Sequence, residues 1–288
     1  MIDRASIKER AMSMFRMNYW PNVGLFALLM VIAGAASGFT SLGSNISTLS
    51  RLGESSGFSE ISTALLGVST ILSLIGIAVV IFVQGPLSVS SAKASISVYD
   101  GNKPDFRHVF YGFSGGRYGK SVGGMALVTL FGVLGVIIVI IPLLIVFALT
   151  VGLSEYSGEL LLNDGAYMAS GLLFGILLTV AALIPALILS IGFSRVPYLI
   201  AEEGITGMAA IRRSWELMRG HKWEYFVFRL SFLGWELLNV LTLGVLGIFK
   251  VNPYIAISDG GYHRELVGGD EPVLMGEPAV DEYGNCQF

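Results

Sequence analysis

Three charged residues stand in a stretch otherwise suited to hydrocarbon: Arg229, Glu236 and Lys250 within "FRLSFLGWELLNVLTLGVLGIFK" (228–250), with Asp259 following. A lone charge at mid-bilayer costs at least ~2.5–3.5 kcal/mol on insertion scales, so such residues face protein or water and mark ion pairs or a polar path. Two glycines in "TLGVLG" (242–247) suit a tight turn. A hairpin turning near residues 243–244 sets Arg229 level with Asp259, Glu236 with Lys250 and Lys222 with Glu265, so each charge meets an opposite one at its own depth. Lys222, Arg229 and Glu236 recur every seven residues and share one helical face. Lys250 and Asp259 are nine residues apart and point oppositely on a straight helix, but Pro253 between them is placed to reset the phase. The pattern reads as a charge-paired hairpin, with a polar track or substrate site as the alternative.

Catalytic patterns are weaker. "SGGRYGKS" (114–121) has Ser114 where a phosphate-cradling P-loop needs Gly, and an apolar run follows it. His108, His221 and His263 are scattered without partners at metal-ligand spacing, and neither H-E-x-x-H nor G-x-S-x-G occurs. No base is identifiable beside Ser231 or Ser258. The chain therefore reads as non-enzymatic, with no cofactor and no metal centre. A single cysteine, Cys286, excludes an intrachain disulfide framework. A net charge of −3 gives no footprint for nucleic acid.

The elements that must hold these residues are membrane spans. Only 14% of the 288 residues are charged, too few to clothe a water-soluble surface. Residues 17–50, 61–92, 121–154 and 165–194 contain no Asp, Glu, Lys or Arg. Each run exceeds the ~20 apolar residues that cross a bilayer as a helix. The first has full membrane length behind a 19-residue polar segment, so it reads as a retained span rather than a cleaved signal. Segments rich in Lys and Arg (the N-terminus, 93–120 and 195–222) alternate with poor ones (41–60 and 151–165), which places the rich ones in the cytoplasm. The expected fold is all-α: a polytopic transmembrane helical bundle of six spans, near 20–40, 61–84, 121–149, 166–194, 223–241 and 246–266, arranged as three hairpins. Together they form one domain over 1–267. The segment 268–288 is acidic, rich in Gly and Pro, and reads as a disordered cytoplasmic tail.

A repeat accompanies the hairpins. "IKERAMSMFRMNYW" (7–20), "DFRHVFYGFSGGRYGK" (105–120) and "AAIRRSWELMRGHKW" (209–223) each mix basic and bulky apolar residues ahead of a span, with Arg16, Arg117 and Arg219 about 101 residues apart. Ala11, Met14 and Phe15 share a face at helical spacing, as do Ile211, Trp215 and Met218. These segments, the first over 3–19, read as amphipathic helices in the headgroup plane on the cytoplasmic side, basic face toward anionic lipid. Arg16, Arg117, Arg212, Arg213, Trp215, Arg219, Lys222 and Trp223 are then the expected contacts for lipid or a partner. Spans two, four and six share a proline signature: "QGPL" (84–87), "RVPY" (195–198) and "VNPY" (251–254). The partners expected are membrane lipids and another membrane protein, and the role that of an accessory or scaffold protein; a small permease or export component using the charged hairpin is the alternative.

The C-terminal third resembles the domain of unknown function 975 family of bacterial integral membrane proteins. The residues that carry the resemblance are Ser214, Trp215, Leu217, Met218, Gly220 and Lys222, then "LSFLGW" (230–235), Thr242, Gly244, Pro253, Tyr254, Tyr262 and Leu266. The start (7–20), "GPL" (85–87) and "VFYGF" (109–113) are similar to the family's earlier parts. Phe249-Lys250 and Asp259-Gly260-Gly261 depart from it by adding charge. The resemblance implies a multi-pass protein of a bacterial plasma membrane, and it supplies no catalytic residue. Six spans predict a specific labelling pattern on intact cells in a Cys286→Ala background. A single cysteine at Gly244 reacts with an impermeant thiol reagent while one in the tail does not, and external labelling of the tail means five spans instead.

Overall fold

The computed structural model describes residues 3–55, 59–114, 116–156, 164–205 and 207–268, and within them every regular element is helical. The acidic segment read as a tail, Cys286 included, lies outside the described residues from 269 onward. The chain begins with α1 (Arg4–Met17), whose N-cap Asp3 accepts from the amides of Ala5 and Ser6 at 3.0 and 3.4 Å. Two long helices follow, α2 (Tyr19–Ser55) and α3 (Ser59–Val79). A π-helical turn (Val80–Gln84) leads into α4 (Gly85–Tyr99), and a 3-10 segment (Phe106–Phe113) precedes α5 (Arg117–Tyr156). Then come α6 (Asp164–Phe193), α7 (Val196–Glu202) and α8 (Met208–Leu217). The last third holds α9 (Lys222–Leu230), α10 (Leu233–Leu241), a second π-turn (Gly247–Val251) and α11 (Asn252–Val267).

Helix α2 runs beyond the expected span of 20–40 and takes in residues of the expected external connection at 41–60. Its 37 residues measure about 55 Å at 1.5 Å per residue, well over the ~30 Å of bilayer hydrocarbon. The serines of this stretch do not break the helix because their hydroxyls turn back on it. Ser41 donates to the Ser37 carbonyl at 3.1 Å, Ser47 to Ser44 at 2.7 Å, and Thr48 to Ser44 at 3.0 Å. Outer faces of the long helices carry apolar side chains that a protein in water would bury, among them Ile71, Ile138, Leu173 and Leu177.

The three prolines of the repeated signature each open a helix: Pro86 in α4, Pro197 in α7 and Pro253 in α11. Proline lacks the N–H that a continuous helix would donate four residues back. Around Pro86 and Pro253 the chain absorbs the missing bond in a π-turn, and before Pro197 it breaks at Ser194-Arg195. The carbonyl of Phe82, four residues before Pro86, accepts instead from the Tyr118 hydroxyl at 3.3 Å.

These breaks let short helices gather into a core beneath the long ones. Ile7, Ala11 and Phe15 of α1 are buried with Val98 and Tyr99 of α4, Phe228 of α9, and Ile257 and Tyr262 of α11. The apolar face of α1 is therefore turned into protein, and the helix is amphipathic because it covers a core. A second cluster joins Val89 and Ile96 of α4, Val196 and Ile200 of α7, and Ala210 and Ile211 of α8. Helices α4 and α11 meet backbone to backbone: a Cβ at Gly260 would lie 2.8 Å from the carbonyl carbon of Ser95. Gly260→Ala is expected to lower the thermal midpoint in detergent, since overpacking a fixed backbone contact costs about 1–3 kcal/mol. Gly234→Ala, where nothing lies within 4 Å of the added carbon, is its neutral control.

Candidate functional site

The break between α6 and α7 delivers a charged residue into the core. Arg195 caps α7 and is 0% exposed, the largest fully buried side chain among the described residues. Its Nη1 donates to the Asp259 carbonyl oxygen at 3.1 Å, its Nη2 to Asp259 Oδ1 at 3.5 Å, and its Nε to Ser194 Oγ at 3.2 Å. Three tyrosine rings surround the guanidinium, with centroids 4.6 Å (Tyr225), 4.8 Å (Tyr198) and 5.7 Å (Tyr262) from Cζ. Rings present their negative faces to such a cation and replace part of the lost hydration.

Asp259 is the hub. Besides Arg195 it accepts from Tyr225 Oη at 3.1 Å on Oδ1 and from Arg229 Nη1 at 2.8 Å on Oδ2. Arg229 and Tyr225 reach it together because four residues on α9 make one turn. Two guanidinium groups share one carboxylate, which leaves one positive charge over. With Arg195 enclosed, that charge is presented outward through Arg229, whose side chain is 48% exposed.

Beyond Tyr198, whose ring centroid lies 5.0 Å from that of His263, a second network closes the same end of the molecule. His263 pairs with Glu202 at 3.1 Å, and Arg264 bridges Glu202 at 2.8 Å and Asp100. The ends of α4, α7 and α11 are thereby tied. His221 pairs with Glu224 at 2.9 Å along α9.

The structure brings Arg229 and Asp259 together and leaves Glu236 and Lys250 apart. Helix α11 does return alongside α9, with Tyr225 and Phe228 at 5.1 and 5.0 Å from Tyr262 and Phe232 at 5.4 Å from Tyr254. The turn lies where the glycines placed it, with Leu243 at φ 52° and Gly244 at φ 85°. The common face of Lys222, Arg229 and Glu236 is lost at the break at residues 231–232 between α9 and α10. The π-turn shifts the phase of the returning chain in turn. Glu236 is exposed and forms no ion pair among the described residues, while Lys250 Nζ sits 4.1 Å over the Trp235 ring. Lys222 likewise lies over an aromatic, Trp215, at 3.4 Å rather than beside Glu265.

Of the expected surface contacts, Arg16, Arg212, Arg213 and Arg219 are exposed. Arg117 is exposed with its guanidinium 4.6 Å from the Tyr111 ring. Trp215 is half-shielded against the bare backbone of Gly192, and Trp223, 72% exposed, stacks on Phe226 at 5.3 Å. Near the N-terminus Lys8 shares a groove with Arg4 and Trp223; its ammonium is held below the usual lysine range by burial and, second, by Arg4. No group of three or more metal-ligating side chains occurs among the described residues. Ser231 donates to the Phe228 carbonyl and Ser258 to that of Tyr254 at 2.8 Å, which turns both hydroxyls back on their own helices.

Sequence reading missed Arg195, the three tyrosines and the Glu202–His263–Arg264–Asp100 network. Two signals were there: Arg195 is the first charge after a 30-residue charge-free run (165–194) and stands two residues before a proline. Tyr225 with Arg229 and Asp259 with Tyr262 have the spacing of one helical turn.

Fold and site together define an all-α protein with, among the described residues, four helices long and apolar enough to cross a membrane, over Tyr19–Ser50, Thr63–Tyr99, Arg117–Ile138 and Gly175–Glu202. The chain belongs to the family described as protein of unknown function (DUF975), whose model matches residues 1–268. No curated protein and no solved structure matches it.

The shared carboxylate makes its two arginines unequal. Asp259→Ala strands Arg195 in the core and is expected to cost about 3–5 kcal/mol, the range for breaking a buried pair from one side. Arg229→Ala removes a half-exposed partner and leaves Asp259 its bonds to Arg195 and Tyr225, so a loss under ~1 kcal/mol is expected. Denaturant midpoints of the two variants in one detergent check the order.

Proposed function

We propose that this chain is a six-span protein of a bacterial plasma membrane, three helical hairpins with both termini cytoplasmic, that acts as a non-enzymatic accessory or scaffold holding anionic lipid headgroups on a basic aromatic surface. The observation that carries this reading is how the charges are divided. Asp100, Glu202 and Asp259 are turned inward onto Arg195, Arg229, His263 and Arg264. Arg16, Arg117, Arg212, Arg213 and Arg219 face outward and form no ion pair among the described residues. Unpaired guanidinium groups on the surface attract anionic lipid, each basic residue near such a membrane being worth about 1 kcal/mol, and Arg212, Arg213 and Arg219 offer three within eight residues. Trp215 and Trp223 beside these arginines suit the headgroup region, where an amphipathic ring keeps one edge wet.

A permease is the second reading, and it needs a polar path joining Arg229 to Glu236. The cavity at Arg229 is walled by Leu187, Phe226 and Leu230, and Glu236 and Lys250 do not line it, which supports the scaffold instead.

The test is lipid selectivity in reconstituted vesicles. Brominated phosphatidylglycerol is expected to quench tryptophan fluorescence in preference to brominated phosphatidylcholine, and Arg212→Gln/Arg213→Gln/Arg219→Gln to lose about tenfold of that preference or more. An unchanged preference in the triple variant overturns the reading. For topology, Leu243 is 93% exposed at the turn and already sits at positive φ, so a cysteine there reports the external face without new strain.

A further inference from the structure

We infer that the groove between α6 and α9 is a specific seat for one phospholipid, with the lipid's phosphodiester bound to Arg229. This deepens the headgroup reading and rests on its placement of the chain in a phospholipid bilayer, but it uses none of the surface arginines. The groove encloses about 360 Å³ and opens beside the membrane-length helix α6. Its apolar walls are Leu187 and Ile191 of α6 and Phe226 and Leu230 of α9, and its polar groups are Ser190, Ser194, Tyr225 and Arg229.

Three features select an anion with an apolar tail. First, the Arg195–Asp259–Arg229 cluster carries one unneutralised positive charge, and Arg229 is its exposed member. Second, Arg229 uses Nη1 on Asp259, and among the described residues no protein acceptor takes its Nε or Nη2, so both N–H edges remain for a ligand. Asp259, which also accepts from Tyr225, anchors the guanidinium at Nη1, which reduces the side-chain freedom lost on binding. Third, the walls beyond Arg229 are hydrocarbon and run on into the exposed apolar faces of α6 and α9, where Ile184, Leu187 and Leu230 are open. A free phosphate would gain nothing from those walls, whereas an acyl chain lies along them.

Native mass spectrometry of the full chain, extracted in a mild detergent and washed exhaustively, tests the site. The wild type is expected to retain one phospholipid. Arg229→Gln is expected to hold it about tenfold more weakly, the loss for removing one charge-assisted pair. Leu187→Trp, which fills the groove without touching a charge, is expected to release it as well. Asp259 keeps Arg195 and Tyr225 in the first variant, so the fold survives. The Arg212→Gln/Arg213→Gln/Arg219→Gln variant is expected to keep the lipid, which separates this seat from the surface. Retention unchanged in Arg229→Gln overturns the proposal. Equal loss in the surface variant overturns it in favour of unspecific attraction. Displacement by millimolar inorganic phosphate overturns it in favour of a soluble anion.

Discussion

A guanidinium without contact with water is tolerable only if its charge and its hydrogen bonds are met by protein, and Asp259 meets both for Arg195. The carboxylate takes a hydrogen bond from Arg195, the Asp259 carbonyl takes a second, and three tyrosine rings close the remaining directions. Those groups come from α7, α9 and α11 and from the junction that ends α6. Neutralising one residue therefore fixes four segments relative to each other. Burying such a pair is rarely more stabilising than packing hydrocarbon in its place. What it supplies here is a constraint on register, because Asp259 and Tyr262 of α11 and Tyr225 of α9 must all meet at Arg195.

Reaching that arrangement needs helices that stop at chosen points and backbones that come close. The prolines at 86, 197 and 253 do the first by removing a donor, so the chain widens into a π-turn or breaks. Glycine does the second. Gly260 and Gly261 admit the Ser95 backbone and the Tyr99 ring, and Gly112 admits the Pro86 carbonyl. The Asp-Gly-Gly run at 259–261 thus has two roles in three residues, a counter-charge and a bare backbone. A larger residue at 260 or 261 would push Asp259 away from the arginine it serves.

The same economy of carboxylates shapes the outside. The chain has more acids than bases overall, but the acids of the folded core are committed to internal partners and five exposed arginines are not. Arg229 belongs to both worlds, bound to the hub at one nitrogen and open to a hydrocarbon-walled groove at the others. A cation held in place next to an apolar cleft is suited to a headgroup whose tail has somewhere to go.

By itself the sequence determined the class of structure. Charge-free runs longer than a bilayer, alternating basic segments and helix-sized apolar patterns are statements about solvent, and solvent acts on every residue in the same way wherever it sits in the fold. It also determined the turn at 243–244, because two glycines and the surrounding apolar residues are a local signal, and it set Arg229 level with Asp259. Phase was not local. Whether Glu236 meets Lys250 depends on rotations introduced by the break at residues 231–232 and by the π-turn at 247–251, and those arise from how α9, α10 and α11 pack. Only the tertiary structure decided that Lys250 lies over Trp235, that the apolar face of α1 covers protein, and that Arg195, one charge among many in a basic segment, is the buried one. Burial belongs to the assembled core: the three rings and one carboxylate around Arg195 lie up to 67 residues away, and no short window on the chain contains them together.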